Sequence, residues 1–267
     1  MSKFRLIAVD IDDTLLNDRI EVSTANREAL QNAMDVGVAV TIATGRMFRS
    51  ALPVAEKLGI RTPIITYQGA LIRDTVTKEI LCERPVPLQL AQMVLEEGYR
   101  ADIHMNVYVG DSLFVDRITP EGKGYAKLAE VDINPVGNLS DFLKQAPVKI
   151  LFIADPGVLD RLNRELQDKF GASLYITKSK PNYLEFMHPE STKKSGLEAL
   201  AQRYGIKQEE IMAIGDSYND IDMLEYAGMG VAMGNAPDEI KEKADYVTAD
   251  NNEDGVAKAV EKFILGE

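Results

Sequence analysis

Leu6-Ile7-Ala8-Val9-Asp10-Ile11-Asp12-Asp13-Thr14-Leu15 opens the chain's first ordered stretch. Four apolar residues that favour sheets, with no polar alternation, predict a strand buried on both faces, as in a parallel sheet covered by helices. The run then ends in three carboxylates. Side chains two apart on extended backbone point the same way, so Asp10 and Asp12 face one side of the strand's carboxyl end. Two carboxylates ~4 Å apart repel by about 4 kcal/mol at a surface-like effective dielectric. They need a cation, a shared proton or separation. The bland alternative is a turn with acidic helix-capping residues, but a strand this apolar rarely ends in three carboxylates without a reason.

The alternation continues outward from this stretch. Ser23 is placed to cap a helix with Ala25, Ala29, Leu30 and Ala33 at helical spacing, and Gly37 to stop it. Residues 38–43 read as a second buried strand, residues 47–58 as a helix ended by Gly59, and residues 63–67 as a third strand. Strand, helix, strand, helix, strand implies right-handed crossovers and a doubly wound, mainly parallel, Rossmann-like sheet. The pattern returns late in the chain: helix 193–204, strand 211–214, helix 220–227, short strands at 229–232 and 246–247, and a closing helix 256–264.

The middle differs. Residues 88–97 read as a helix, and 103–109 with 112–116 as strands paired about Gly110-Asp111, a hairpin signal. Strand 148–153, helix 159–170, and strands 173–177 and 183–187 come next. This predicts an α/β insertion carrying an antiparallel sheet, flanked by Pro85, Pro87 and Pro189 as linkers often are. The expected division is a discontinuous core, 1–83 and 190–267, around an inserted domain, 84–189.

Composition narrows the partners. The chain has 267 residues, 45% hydrophobic, enough for two cores, and a formal net charge of −12. That charge argues against nucleic acid and against a polybasic membrane-surface role. A small phosphorylated metabolite is allowed if a cation or local lysine neutralises it. One cysteine, Cys82, excludes an internal disulfide and matches no metal spacing. The N-terminal apolar run stops at Asp10, too early for a signal peptide, and no run approaches the ~18 apolar residues of a membrane span. A cytoplasmic protein is the expectation.

Ligands of open parallel sheets bind beyond the carboxyl ends of the strands, and three further polar clusters fall there. Thr44-Gly45-Arg46 offers a hydroxyl, close backbone approach and free amides for a phosphoryl oxygen, although Thr-Gly turns at strand ends are common. Lys193-Lys194 opens a helix; in isolation the pair reads better as solvated lysines than as an anion site. Gly215-Asp216-Ser217-Tyr218-Asn219-Asp220 brings more carboxylates to the same edge. Hard oxygen ligands without His or Cys suit Mg2+.

Together these four motifs resemble those of the haloacid dehalogenase-like hydrolase superfamily. An insertion after the second motif is similar to its subfamily IIB, the Cof-like sugar phosphatases. The likeness runs along essentially the whole chain, including Gly69-Ala70-Leu71 and residues 228–235. It implies a phosphatase with an inserted cap closing over the core. Asp10 would be the nucleophile, forming an aspartyl-phosphate, and Asp12 the general acid and then base. Mg2+ would be held by the Asp10 carboxylate, the Asp12 backbone carbonyl and Asp216, with Asp220 in support. Thr44, Gly45, Arg46 and Lys193 would bind the phosphoryl group, and Asn219 would orient that group or the lysine. Lys193 is preferred to Lys194 because Leu197 and Leu200 then follow at the spacing usual in such proteins. Asp13 stands where the family most often has glycine, and Gln68 where asparagine often precedes Gly-Ala. The runner-up is a phosphomannomutase-like phosphotransferase. A non-hydrolytic phosphoacceptor or binding protein is less well matched, since a receiver module is about half this length. Tyr183, Glu185, His104 and Arg46 are candidates for contacts to the leaving group.

Overall fold

A computed structural model describes residues 3–266 of the chain. The chain forms two compact units, one built from the segment up to Cys82 together with that from Thr192 onward, the other from Glu83–Ser191.

In the first unit five parallel strands run in the order Tyr246–Val247, Met229–Ala232, Ile211–Gly215, Leu6–Val9, Ala39–Ile42. The interior strand Leu6–Val9 is buried along its whole length, as its unbroken apolar run requires. Leu6 and Ala8 pack with Leu197, Leu200, Met223 and Leu224, so the helices Lys193–Tyr204 and Ile221–Tyr226 cover that face. Helix Thr24–Asp35, capped by the Ser23 hydroxyl, packs on Gly255–Val260; Asn26 Oδ1 accepts from the Ala257 amide at 2.8 Å. Strand register aligns the polar ends: Val9 lies opposite Ile214 on one side and Ile42 on the other. Asp10, Ala43-Thr44 and Asp216 therefore leave the sheet at one level.

The predicted third strand is present as Ile64–Thr66, touching the sheet through a parallel bridge between Ala43 and Ile65. It then departs from expectation, turning back to pair antiparallel with Leu71–Arg73 in a small three-stranded sheet completed by Ile80–Glu83. Those last two strands are too short and too mixed in polarity to stand out in the sequence.

The inserted unit holds a six-stranded sheet in the order Tyr175–Lys180, Tyr183–Met187, Lys149–Ile153, His104–Val109, Ser112–Val115, Ile133–Pro135. It is antiparallel where paired, except for Ser112–Val115 beside Ile133–Pro135, which run parallel. Met105, Val107, Ile150, Phe152, Leu184 and Phe186 point to one face, where they pack with Val94 and Leu95 of helix Leu88–Arg100 and Leu162 and Leu166 of helix Pro156–Phe170. The helix Pro120–Ala129, capped by Thr119, has no counterpart in the sequence reading. Gly122 and Gly124 lower its intrinsic propensity, so packing rather than local preference forms it. Among the described residues no helix is long and apolar enough to cross a membrane.

Candidate active site

The carboxyl edge of the parallel sheet gathers three aspartates. One carboxylate oxygen each from Asp10, Asp216 and Asp220 lies within 4.8 Å of the others, and all three residues are buried. The Lys193 ammonium, with no exposed surface, sits 2.7 Å from Asp10 Oδ1 and 2.6 Å from Asp220 Oδ1. Its Asp220 contact is a hydrogen bond. The Asp10 contact is an ion pair of nearly the same length.

Local structure explains each placement. Lys193 is the first residue of a helix capped by Thr192, and helical side chains tilt toward the N-terminus, here toward the sheet edge. Lys194, one position on, is half exposed and pairs with Glu198 at 3.8 Å. The geometry thus separates two lysines that the sequence leaves adjacent. Asp220 Oδ2 accepts from the Asp216 and Ser217 amides at 3.2 and 3.0 Å, closing the turn that carries both acids. Gly215 makes that possible: a Cβ there would lie 2.5 Å from the Asp220 carboxyl carbon. Thr14 donates its hydroxyl to Asp216 Oδ1 at 2.5 Å, across 202 residues of sequence. Thr14 belongs to the first acidic motif, yet nothing in the sequence assigns it a partner.

Three carboxylates against one ammonium leave this buried edge short of positive charge. Burial raises the Asp10 carboxyl well above the ordinary range, Asp220, Asp216 and Asp12 adding to the effect while Lys193 opposes it. Burial likewise pushes Asp216 up to about 7, against the Thr14 hydrogen bond, with Asp220 adding. Burial disfavours the Lys193 ammonium, but Asp10 and Asp220 outweigh it and keep it charged. A cation that displaces the protons is the other way to neutralise the cluster. The donors are oxygens only, so they fit a hard divalent ion such as Mg2+.

Asp12 stands apart from this group. Its carboxylate is about half exposed and bound bidentately by Arg46, Nε to Oδ2 at 2.9 Å and Nη2 to Oδ1 at 2.5 Å. Arg46, expected on a phosphoryl group, here holds the second acid. Asp13 takes the left-handed conformation (φ 56°, ψ 8°), which aspartate tolerates better than most residues, and its carbonyl accepts from Asn235 Nδ2 at 2.7 Å. Thr44 is buried, with its hydroxyl accepting from the Arg46 amide at 3.2 Å. Asn219 donates Nδ2 to Gln68 Oε1 at 3.1 Å.

Of the candidates in the inserted unit, His104 is a satisfied sheet residue. Its ring nitrogens meet Asn106 Oδ1 at 2.8 Å and Thr119 Oγ1 at 2.9 Å, and burial lowers its pKa. Glu185 pairs with Lys149 at 3.2 Å and accepts from Ser179 at 2.8 Å. Tyr183 packs edge-on to Tyr125.

The sequence profile of haloacid dehalogenase-like hydrolases matches residues 7–260. The chain belongs to that family. The 5-amino-6-(5-phospho-D-ribitylamino)uracil phosphatase YwtE of Bacillus subtilis is 34% identical over 294 residues, covering 98% of this chain and 99% of the relative. A haloacid dehalogenase-like hydrolase from Bacteroides thetaiotaomicron superposes with a TM-score of 0.90 at 32% identity, covering 97% of this chain and 99% of that one. The subclass IIB sugar phosphatase BT4131 superposes with a TM-score of 0.85 at 25% identity, covering 97% and 98%.

Proposed function

We propose that this haloacid dehalogenase-like phosphatase hydrolyses small phosphate monoesters, with Asp10 as nucleophile. The observation that carries the reading is the Asp10 carboxylate, buried beside Asp216 and Asp220 with the Lys193 ammonium 2.7 Å away. In the first step an Asp10 oxygen attacks phosphorus, the bond to the leaving oxygen breaks, and Asp12 supplies the proton that this oxygen takes up. In the second, water attacks the phosphoryl group on Asp10, Asp12 takes the water's proton, and inorganic phosphate leaves with Asp10 restored. Lys193 and Thr44 hold phosphoryl oxygens, while Arg46 keeps the Asp12 side chain oriented.

Asp10, Asp216 and the Asp12 backbone carbonyl would hold Mg2+, with Asp220 in support. Bound there, the ion would supply positive charge to the transferring phosphoryl oxygens. Both oxygens of Asp220 are already engaged, by Lys193 and by two amides, which favours a supporting part for it.

For substrate, we propose a phosphorylated metabolite carrying its phosphate on a sugar or polyol chain, selected by the inserted domain, residues 84–189. The support is the chemistry in the relatives' names: a ribityl phosphate for YwtE and a sugar phosphate for BT4131. The test is phosphate release from p-nitrophenyl phosphate and from a panel of such esters by the protein and its Asp10→Asn variant. Release by the protein and none by the variant is expected; near-normal release by Asp10→Asn overturns the nucleophile assignment.

A further inference from the structure

Gln68 lies in a segment whose backbone violates ordinary preference. Tyr67, Gln68 and Gly69 all take positive φ, at 50°, 57° and 96°, directly after strand Ile64–Thr66. Left-handed conformations in two successive non-glycine residues persist only where the surroundings over-determine them, and such strain gathers at functional sites. Here the Tyr67 amide donates to the Arg46 carbonyl at 2.9 Å and the Gln68 amide to the Thr44 carbonyl at 3.0 Å. Gly69 has no room for a Cβ, which would collide with the Thr192 carbonyl ahead of Lys193. The turn is thus tied at once to the Thr44 loop and to the helix that carries Lys193.

The Gln68 side chain, almost wholly buried, completes these ties. Its amide covers Gly45, where a Cβ would lie 2.5 Å from Nε2, and its Oε1 accepts from Asn219 at 3.1 Å. With Nδ2 committed to Gln68, Asn219 is left with a buried Oδ1 that has no hydrogen-bond partner. A buried unpaired carbonyl oxygen is costly to keep, so it awaits a donor. A phosphoryl oxygen offers none at neutral pH. An ammonium N–H or a substrate hydroxyl does.

We propose that Gln68 is a positioning residue: it fixes the Asn219 amide with its carbonyl oxygen presented for a donor, and so makes Asn219 serve a substrate hydroxyl or the lysine rather than donate to the phosphoryl group. The proposal rests on the phosphatase reading and deepens one residue's part in it. The strained turn delivers the Gln68 side chain from the end of the Ile64–Thr66 strand to Gly45 and Asn219.

The test compares Gln68→Met, which keeps shape and removes the acceptor, with Asn219→Ala and the double variant. With a sugar phosphate that the parent protein hydrolyses, and which carries hydroxyls, the expected result is a roughly tenfold fall in kcat for Gln68→Met with KM changed less than twofold. The double variant should be no slower than Asn219→Ala alone. Losses that multiply, or a Gln68→Met kcat within twofold of the parent, overturn the proposal. Gln68→Glu, which retains an acceptor, should keep the Asn219 contact and serves if the methionine variant does not fold. Hydrogen exchange of the Asn219 side-chain amide by NMR reads the same contact without activity. It should quicken at least tenfold in Gln68→Met, and an unchanged rate refutes the contact. If the parent protein releases no phosphate, the functional reading fails, while the exchange measurement still decides the positioning one.

Discussion

Replacing Lys193 by methionine removes the only cation that the described residues place between Asp10 and Asp220 while keeping the length of the side chain. At separations of 2.7 and 2.6 Å and an effective dielectric near 20, each pair contributes about 6 kcal/mol of attraction. Most of that offsets the desolvation of three buried charges. Removal of one partner from a buried pair typically leaves a net loss of about 3–5 kcal/mol, because the remaining charge stays buried and unpaired. For a unit of this size each kcal/mol moves Tm by about 2–4 °C, so the metal-free variant should melt about 6–20 °C lower at pH 8.

The pH dependence separates this cause from simple cavity formation. Lys193 opposes the upward shift of Asp10, so its loss raises that carboxyl further. A carboxyl whose folded pKa exceeds its unfolded value makes stability fall as pH rises between the two. The deficit of Lys193→Met relative to the parent should therefore be largest at pH 8 and shrink as the pH falls and Asp10 takes up a proton. Calorimetric melts of both metal-free proteins from pH 8 downward measure it. A deficit under 2 °C at pH 8, or one that does not shrink as the pH falls, refutes the electrostatic account.

Chelation by EDTA should abolish phosphate release and Mg2+ restore it. Because Asp216 must lose its proton to bind, and is raised to about 7, apparent Mg2+ affinity measured by calorimetry should fall by up to about tenfold per pH unit below 7. Thr14→Val deletes the hydrogen bond that holds the Asp216 carboxyl down, and should weaken Mg2+ binding at pH 6.5 by about tenfold while leaving affinity at pH 8.5 less affected. Arg46→Ala should leave Tm within a few degrees, since the partner carboxylate is about half exposed, yet lower kcat by about tenfold or more as Asp12 loses its orientation. A kcat unchanged in that variant removes Asp12 or its clamp from the proton-transfer role.

What the sequence discloses about this fold is what burial dictates locally. Strands 6–9, 39–42 and 211–215 are legible because both their faces are apolar, and their polar ends mark the site. Adjacent Lys193 and Lys194 are indistinguishable by composition; they differ by the 100° that one helical step turns, which sends one to the sheet edge and the other to water. Gln68 is illegible for the opposite reason. Tyrosine and glutamine resist left-handed backbone, so no local rule points to that turn, and ties to distant residues, Thr44 and Arg46 among them, hold it. Places where local preference is overruled are where function is expected to reside.

The same register that buries the core also builds the site. Val9 pairs with Ile214, so Asp10 and Asp216 emerge together and the Thr14 hydroxyl reaches a carboxylate 202 residues away. A slip of one residue between these strands would carry Asp216 about 3.3 Å along the sheet and turn its side chain to the other face. That displacement is comparable with the 4.8 Å within which the three carboxylates meet, so no slipped pairing preserves the cluster. The observed register is therefore what keeps three mutually repelling acids close enough to need one cation.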